Sequence, residues 1–275
     1  MLSFWHNDQS IAVILVNVAF MDEKNISLIE GQITELVLQR ASRRNALHLP
    51  LLRELKDTLA KLETSTTRGL VVRSEGHVFC AGHDFAELAA RNRNEMHELL
   101  CLCADVMQKL HYLPFPSIAA VQGGALGAGC QLALSCDFVV AADDAYFQTP
   151  GGAGGWFCTT PGVAVARHLA PRRALELLVL GQPLSAPKAL EWGMINRVVP
   201  ASELLQQARD FAEQASRGSM VSKSLGKAAF YRQAQLEEAE AYRYASEVMT
   251  EAAFLDDAQE TFRAFLEKRK PQFRN

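Results

Sequence analysis

Apolar positions along this chain follow two patterns, helical spacing and continuous runs, which predict helices and strands in alternation. Apolar residues at helical spacing predict an amphipathic helix at residues 49–62, and continuous apolar runs between polar turns are typical of buried strands. We predict such strands at residues 33–39, 69–74, 117–121, 137–141 and 195–199, with a short extended piece at 146–149. Further helices are predicted at residues 84–90, 95–110, 160–169, 174–180 and 187–192.

The pattern changes after residue 202, because three further helical stretches follow with no strand between them: 202–215, 236–253 and 258–268. We therefore predict an α/β fold in three parts. These are an N-terminal tail and strand at 1–24, a core of repeated strand and helix units at 25–210, and a helical region at 211–275. The apolar run in the first part has the β-branched content of a strand and is too short to cross a bilayer.

Composition and charge narrow the functional class. The chain has 275 residues, of which 49% are hydrophobic, enough for a large buried core. Its formal net charge of −3 lacks the basic excess of a nucleic-acid binder, so we expect no nucleic-acid partner. Because the apolar run near the start is too short to span a bilayer, we expect no membrane partner either. The six cysteines form no zinc pattern, and we interpret them as mostly buried thiols of a reducing compartment. Because no Arg- and Ser-rich leader or secretory signal is visible, we expect a cytoplasmic protein.

A first candidate site is the turn at residues 79–85, between a predicted strand and a predicted helix. The first amides of a helix have no internal partner and carry a partial positive charge. Ala81 and Gly82 leave the backbone accessible, so the amide of His83 is able to face a ligand oxygen. Asp84 is expected to cap the helix that follows.

A second candidate site is the turn at residues 123–131, which also joins a buried strand to a helix. Gly127, Ala128 and Gly129 allow close approach of a ligand to the main chain, and the amide of Ala128 is the second candidate donor. Two converging amides are what the oxyanion of a thioester enolate needs. Either turn alone is more often simple packing of a helix against a strand, whereas the pair is a more specific signal.

Taken together, the two turns resemble a known family. Residues 79–84 read FCAGHD and residues 123–132 read GGALGAGCQL, which are similar to the signature segments of the crotonase superfamily, the enoyl-CoA hydratase/isomerase family. Residues 147–167 are most similar to its enoyl-CoA hydratase domain-containing subgroup. The likeness extends to residues 43–47, 186–199 and 264–271.

The resemblance implies a crotonase-like spiral of ββα repeats with a C-terminal helical trimerisation region. It also implies an acyl-CoA thioester as the ligand, with coenzyme A as part of the substrate, no other cofactor and no metal. The expected assembly is a homotrimer or a dimer of trimers. The family includes enoyl-CoA hydratases and isomerases of fatty acid metabolism.

The resemblance also implies a role for individual residues. His83 and Ala128 correspond to the oxyanion amides, and Trp156 and Phe157 are expected to line the acyl pocket. Lys268 either reaches the CoA phosphates of a neighbouring subunit or lies on a solvated helix face, and both interpretations stay open. The residues that correspond to CoA contacts are Arg43, Arg44, Ala46, Ala81 and Asp84.

The sequence departs from the family at both catalytic glutamates of the hydratases, where it has Gln131 and Gly151. Glutamine can orient a water but cannot accept its proton near neutral pH, and glycine has no side chain. Loss of one positioned acid–base group typically costs about 10²–10⁴ in rate, so efficient hydration is not expected. The side chain of His83 is then the best remaining titratable group.

Two functions stay open at this point. One is a crotonase-type enzyme with weak hydration or another thioester chemistry, and the other is a non-catalytic acyl-CoA-binding or regulatory protein. A doubly wound nucleotide binder is disfavoured, because neither glycine turn fits the dinucleotide-binding pattern. Cys158 is interpreted as a packed thiol, and Thr159 and Thr160 are expected to cap the next helix.

Overall fold

The strands of this protein form two sheets. The computed structural model describes residues 25–273, so the strand predicted within residues 1–24 lies outside the described residues. The strands in the described part are β1 (Ile26–Ile29), β2 (Ile33–Leu38), β3 (Gly69–Ser74), β4 (Ser117–Val121), β5 (Gly124–Leu126), β6 (Phe138–Ala142), β7 (Tyr146–Gln148), β8 (Leu184–Ser185) and β9 (Arg197–Val199).

Helices connect the strands and make up the C-terminal part of the chain. In addition, short 3₁₀ helices lie at Ala41–Arg43 and Ala201–Glu203. The α-helices of the described residues are α1 (Leu49–Leu62), α2 (Phe85–Ala89), α3 (Arg93–Tyr112), α4 (Ala128–Ser135), α5 (Gly151–Gly154), α6 (Thr159–His168), α7 (Pro171–Leu180), α8 (Ala186–Glu191), α9 (Leu204–Ala215), α10 (Met220–Gln233), α11 (Glu238–Ala253) and α12 (Asp256–Leu266).

The larger sheet decides where the two candidate turns lie. Its strand order is β1-β2-β3-β4-β6-β9, with β1 antiparallel to β2 and the other neighbours parallel. Because β3 and β4 are parallel neighbours, the turns that follow them leave the same edge of the sheet. The smaller sheet, β5-β7-β8, begins inside the second turn.

Helices cover the larger sheet, since every residue of β4 is buried. α9 packs against β3, β4 and β6, while α1 packs against α3. The apolar face predicted for residues 49–62 is confirmed, because the five buried residues of α1 are all leucines at helical spacing. The predicted α/β class and the C-terminal helical region are confirmed as well. The boundary between residues 210 and 211 stays a prediction, and it falls inside α9.

The sequence analysis missed α10, and the structure gives the reason. None of the residues of α10 is fully buried, so its apolar residues form no continuous face that a periodic pattern would reveal. Instead, α10 is attached to the core by polar groups. Lys227 forms an ion pair with Asp137 at 2.7 Å, and the Tyr231 hydroxyl donates to the same carboxylate at 2.7 Å.

Two searches of the described residues concern membranes and metals. No helix in residues 25–273 is both long enough and apolar enough to cross a bilayer. Among the same residues, no three His, Cys, Asp or Glu side chains are grouped so that they could hold a metal ion.

Candidate functional site

A cavity of about 280 Å³ lies where the turns after β3 and β4 meet. Ala81, Gly82 and His83 of the first turn line it, together with Gly127 and Ala128 of the second. The segment at residues 150–161, Phe85 and Leu100 provide the remaining wall. None of the described residues that line this cavity is an aspartate or a glutamate.

The two turns are in direct backbone contact, and two glycines make this possible. A Cβ atom on Gly82 would lie 2.7 Å from the Leu126 carbonyl oxygen and 3.3 Å from the Ala128 nitrogen. A Cβ atom on Gly129 would lie 2.1 Å from the Cys80 carbonyl oxygen. Gly82 also has a φ of +87°, which L side chains rarely adopt. Glycine at these positions therefore brings the backbone of the first turn against the start of α4.

The N–H group of His83 is left free by the way the first turn is anchored. Leu47 forms a parallel bridge with His83: its N–H donates to the Gly82 carbonyl at 2.7 Å, and its carbonyl accepts from the Asp84 N–H at 3.0 Å. In such a bridge the opposite residue directs its own N–H away from the partner strand. The His83 N–H makes no backbone hydrogen bond among the described residues.

The N–H group of Ala128 is free because it is the first of α4. Gly127 precedes the helix with φ 52° and ψ −117°, a conformation that only glycine adopts readily. The Gly127 N–H donates to the Gln148 carbonyl at 2.8 Å, which ties this point to β7. The structure therefore presents two unpaired backbone donors, from His83 and Ala128, at neighbouring points of one cavity.

The ring of His83 lies 6.5 Å from the ring of Trp156 between centroids, and both residues line the cavity. Both ring nitrogens are shielded from solvent, and neither forms a hydrogen bond of ordinary geometry with the described residues. Burial lowers the pKa of His83, while the nearby Leu47 carbonyl and Glu87 act in the opposite direction. The ring is therefore neutral at physiological pH.

The loop at residues 40–47 is fixed to the first turn. The Ala81 N–H donates to the Arg44 carbonyl at 3.0 Å, and Arg40 pairs with Asp84 at 3.5 Å. The predicted cap is confirmed, because the Asp84 carboxylate accepts from the Ala86 N–H at 3.2 Å. Ala46 is buried, whereas the side chains of Arg43 and Arg44 are exposed beside the cavity-lining turn.

The two positions predicted to correspond to the hydratase glutamates have different surroundings. Gln131 lies one turn further along α4 than Ala128; its side chain is buried, and its Oε1 atom has no partner among the described residues. Gly151 lines the cavity, but a Cβ atom there would lie 1.9 Å from the Trp156 carbonyl oxygen. The backbone therefore excludes any side chain at residue 151.

The segment from Pro150 to Pro161 forms the apolar wall. Trp156 and Phe157 line the cavity and are 47% and 44% exposed, and their contact with an acyl chain stays a prediction. The predicted threonine caps are wrong, because α6 begins at Thr159, Cys158 occupies the N-cap and no side chain caps the helix. Burial raises the pKa of the half-buried Cys158 thiol, so this thiol stays protonated.

Sequence reasoning missed Phe85 and Leu100 as lining residues. Phe85 is 71% exposed at the first position of α2, and an aromatic residue at the end of the first turn was a usable signal. Leu100 belongs to α3 and looks like any other apolar position of that helix. Lys268 follows α12 and is not among the described lining residues of the chain.

Comparisons with known proteins decide the family. The model of the family described as "Enoyl-CoA hydratase/isomerase" matches residues 29–275. The chain belongs to the enoyl-CoA hydratase/isomerase family. It is 41% identical over 244 residues to "Enoyl-CoA hydratase domain-containing protein 3, mitochondrial" of Xenopus laevis, covering 88% of this chain and 83% of the relative. The human protein of that name is 41% identical over 241 residues, covering 87% and 80%.

Solved structures agree with this membership in the crotonase superfamily. The crystal structure of an enoyl-CoA hydratase from Mycobacterium smegmatis superposes with a TM-score of 0.88 at 36% identity. The match covers 91% of this chain and 99% of that one. The predicted crotonase fold and the predicted subgroup are both confirmed.

The comparisons contradict the predicted cytoplasmic location. The relatives from Xenopus laevis and human are both named mitochondrial proteins. The prediction relied on the composition of the first residues. Both relatives are named for the mitochondrion, so the composition of the first residues did not predict the location correctly.

Proposed function

We propose that this protein binds an acyl-CoA thioester, with the thioester oxygen between the backbone N–H groups of His83 and Ala128. The observation that carries the proposal is the contact of the two turns at Gly82, which leaves both N–H groups unpaired at one cavity. Two preorganised hydrogen-bond donors that converge on one oxygen stabilise the negative charge that an enolate places on that oxygen. Because the chain belongs to the enoyl-CoA hydratase/isomerase family, we assign that oxygen to the carbonyl group of a thioester.

The proposed binding mode extends to both ends of the ligand. Arg43 and Arg44 are exposed on a loop that is hydrogen-bonded to the cavity-lining turn, so their charges are available to the phosphates of CoA. Trp156, Phe157 and Leu100 offer an apolar surface to the acyl chain. Coenzyme A enters as part of the substrate, and the proposal needs no metal or other cofactor.

For the chemistry, we propose a crotonase-type thioester reaction with little hydration. Hydration of a double bond needs positioned groups that remove a proton from water and deliver one to carbon. The described lining residues include no carboxylate, and residue 151 has no room for one. The same observation favours the alternative of an acyl-CoA-binding or regulatory protein without turnover.

The proposed assembly is a homotrimer or a dimer of trimers built by the C-terminal helices. Neither α10 nor α11 contains a fully buried residue in the described chain, and large apolar side chains are exposed on α11, α12 and the turn between them. Surfaces of this kind are typical of subunit contacts. A neighbouring subunit would then also bring a Lys268 toward the CoA phosphates. The most exposed of these residues are Met249, Phe254, Phe265 and Leu266.

Calorimetric titration with butyryl-CoA tests the proposal, using two glycine variants. Gly127→Ala strains the backbone that sets the Ala128 N–H, and we expect about a tenfold loss of affinity, which is about 1.4 kcal/mol for a hydrogen bond to a polarised oxygen. Gly193→Ala is the matched control, since Gly193 also has a positive φ (+77°) with open space around its Cβ position and lies outside the cavity.

The outcomes separate the parts of the proposal. We expect the Gly193→Ala protein to bind butyryl-CoA as the unaltered protein does. Absence of binding to the unaltered protein contradicts the proposal as a whole, and equal affinity in Gly127→Ala contradicts the role of Ala128. A turnover assay on enoyl-CoA and 3-hydroxyacyl-CoA esters then decides between the enzyme and the non-catalytic alternative.

A further inference from the structure

The bridge between Leu47 and His83, which sets the direction of the His83 N–H, is short and has one open end. Before the bridge, the two chain segments stay in backbone contact, because the Ala81 N–H donates to the Arg44 carbonyl at 3.0 Å. After the bridge, both segments run directly into helices, α1 and α2. A backbone contact that ends in this way opens easily unless another group holds its end.

The side chain of Glu87 holds that open end. Its two carboxylate oxygens accept from the Leu49 N–H, at 3.1 and 3.2 Å from the nitrogen. Leu49 is the first residue of α1, where the N–H groups have no partner within the helix and the helix dipole favours a carboxylate. In the described chain the side chain of His48, the N-cap residue of α1, makes no capping hydrogen bond. The cap of α1 therefore comes from α2.

Arg91 fixes the Glu87 carboxylate and offsets its charge. The two side chains pair at 2.8 Å, and they are only 12% and 23% exposed. The charge matters, because Glu87 is near the first turn: burial lowers the pKa of His83, and Glu87 acts in the opposite direction. An unpaired carboxylate there would oppose negative charge on a thioester oxygen. The pair with Arg91 keeps the hydrogen-bond acceptor and reduces that opposition.

We propose that Glu87 is a positioning residue for the thioester oxygen. By accepting from the Leu49 N–H, it keeps residues 47–49 against the first turn, and the Leu47 bridge then directs the His83 N–H toward the cavity. The inference rests on the proposed function, because it needs the thioester oxygen to lie at the two backbone N–H groups. Glu87 is not among the described residues that line the cavity, so its effect on a ligand passes through the backbone of His83.

Substitutions separate the hydrogen bond from the charge and from general stability. Glu87→Ala removes the acceptor, whereas Glu87→Gln keeps an oxygen that accepts from the Leu49 N–H and removes the charge. Glu87→Asp keeps the charge and withdraws the carboxylate by one methylene group. Glu95→Ala is the matched control, because Glu95 also accepts a backbone N–H at a helix start, that of Asn92 at 2.9 Å, and is not among the described lining residues.

Infrared spectroscopy of bound butyryl-CoA reads the position of the donors directly. The difference between spectra with ¹²C and ¹³C at the thioester carbonyl isolates its stretching band, and hydrogen bonds to the oxygen lower the frequency of that band. We expect equal lowering in the unaltered protein, Glu87→Gln and Glu95→Ala, and less in Glu87→Ala and Glu87→Asp. Calorimetry should show about threefold to tenfold weaker binding by the last two, the effect of one hydrogen bond.

Each outcome has a distinct meaning when all proteins are measured at a temperature where circular dichroism shows them folded. Failure of butyryl-CoA to bind the unaltered protein contradicts the proposed function itself. Binding with the same band position and affinity in Glu87→Ala overturns this inference and leaves the binding proposal standing. An equal change in Glu95→Ala would mean a general loss of stability, and an equal change in Glu87→Gln would mean that the charge acts alone; both also overturn it. If Glu87→Ala does not fold, Glu87→Asp carries the same expectation.

Discussion

Two glycine-rich segments line the same cavity, and they use glycine in different ways. In the segment at residues 123–129, the two end glycines are surrounded by backbone: a Cβ atom would lie 1.9 Å from the His77 carbonyl oxygen at Gly123 and 2.1 Å from the Cys80 carbonyl oxygen at Gly129, while Gly127 between them has open space. In the segment at residues 151–155, the first two glycines also meet main-chain oxygens, but Gly154 and Gly155 have nothing within 4 Å of a Cβ position. The first segment therefore needs glycine for close packing at both ends, and the second needs it only at its start.

The difference indicates a separate task for each segment. We call residues 123–129 with the rest of α4 the packed wall and residues 151–155 the open wall. A segment whose backbone is in contact on several sides holds its N–H groups in fixed positions, as an oxyanion site requires. The end of the second segment has open space around its glycines, which leaves room for the chain to shift, and the half-exposed Trp156 and Phe157 follow it directly. We infer that the first wall recognises the thioester, while the second adapts to the acyl chain.

The largest expected effect is on stability, from Gly129→Ala in the packed wall. The added methyl group would overlap the Cys80 carbonyl, which is main chain and cannot rotate away. We expect a loss of about 3 kcal/mol or more in the free energy of unfolding, measured by urea denaturation. The control is Gly226→Ala in the middle of α10, where space is open and alanine should stabilise by about 0.5–1 kcal/mol. Equal effects in the two variants would remove the contrast between packed and open glycines.

A smaller effect is expected from Gln131→Glu, which returns a carboxylate to the packed wall. The Oε1 atom of Gln131 is already buried without a partner, so a charge there is poorly solvated. We expect a loss of about 2 kcal/mol at neutral pH. Because burial raises the pKa of the new carboxyl, the loss should grow as the pH rises through that pKa and shrink in acid. Gln131→Leu, which removes the unpaired atoms, should be near neutral, and a loss independent of pH would argue against charge burial.

The same variant tests the proposal that hydration is inefficient. In the hydratases that this sequence resembles, two glutamates act together, and the second position is Gly151. A side chain at residue 151 would collide with the Trp156 carbonyl, so Gln131→Glu cannot be completed by a partner there. We therefore expect no efficient hydration of crotonyl-CoA by Gln131→Glu. Efficient turnover by this variant would show that the packed wall alone carries the chemistry.

The sequence predicted those parts of the fold that depend on local pattern. The leucines of α1 have a clear helical period and β3 and β4 are continuous apolar runs, and the structure confirms all three elements. The short strand β5 was missed because Gly124–Leu126 reads as a turn and becomes a strand only by pairing with β7. Such pairing is non-local and leaves no period in the sequence.

The candidate site also has features that the local sequence predicts and features that depend on tertiary packing. Asp84 as a cap follows from residue type and position, and the structure agrees. The collision that excludes a side chain at Gly151 depends on where the chain returns five residues later, and the composition of the segment gives no hint of it. Cys158 and Leu100 join the cavity through tertiary packing alone. Residue identity therefore predicted the candidate groups, and packing decided what space they have.

The smallest expected effect comes from Gly154→Ala in the open wall. Space is free at this position and φ is not positive, so the fold should be unchanged or more stable by about 0.5 kcal/mol. Alanine restricts the backbone that carries Trp156, so the wall should adapt less well to different acyl chains. We expect the ratio of affinities for acetyl-CoA and octanoyl-CoA to change by about threefold, roughly 0.7 kcal/mol, in calorimetric titrations. Gly226→Ala should leave that ratio unchanged, and an unchanged ratio in Gly154→Ala as well would mean that the second wall is as rigid as the first.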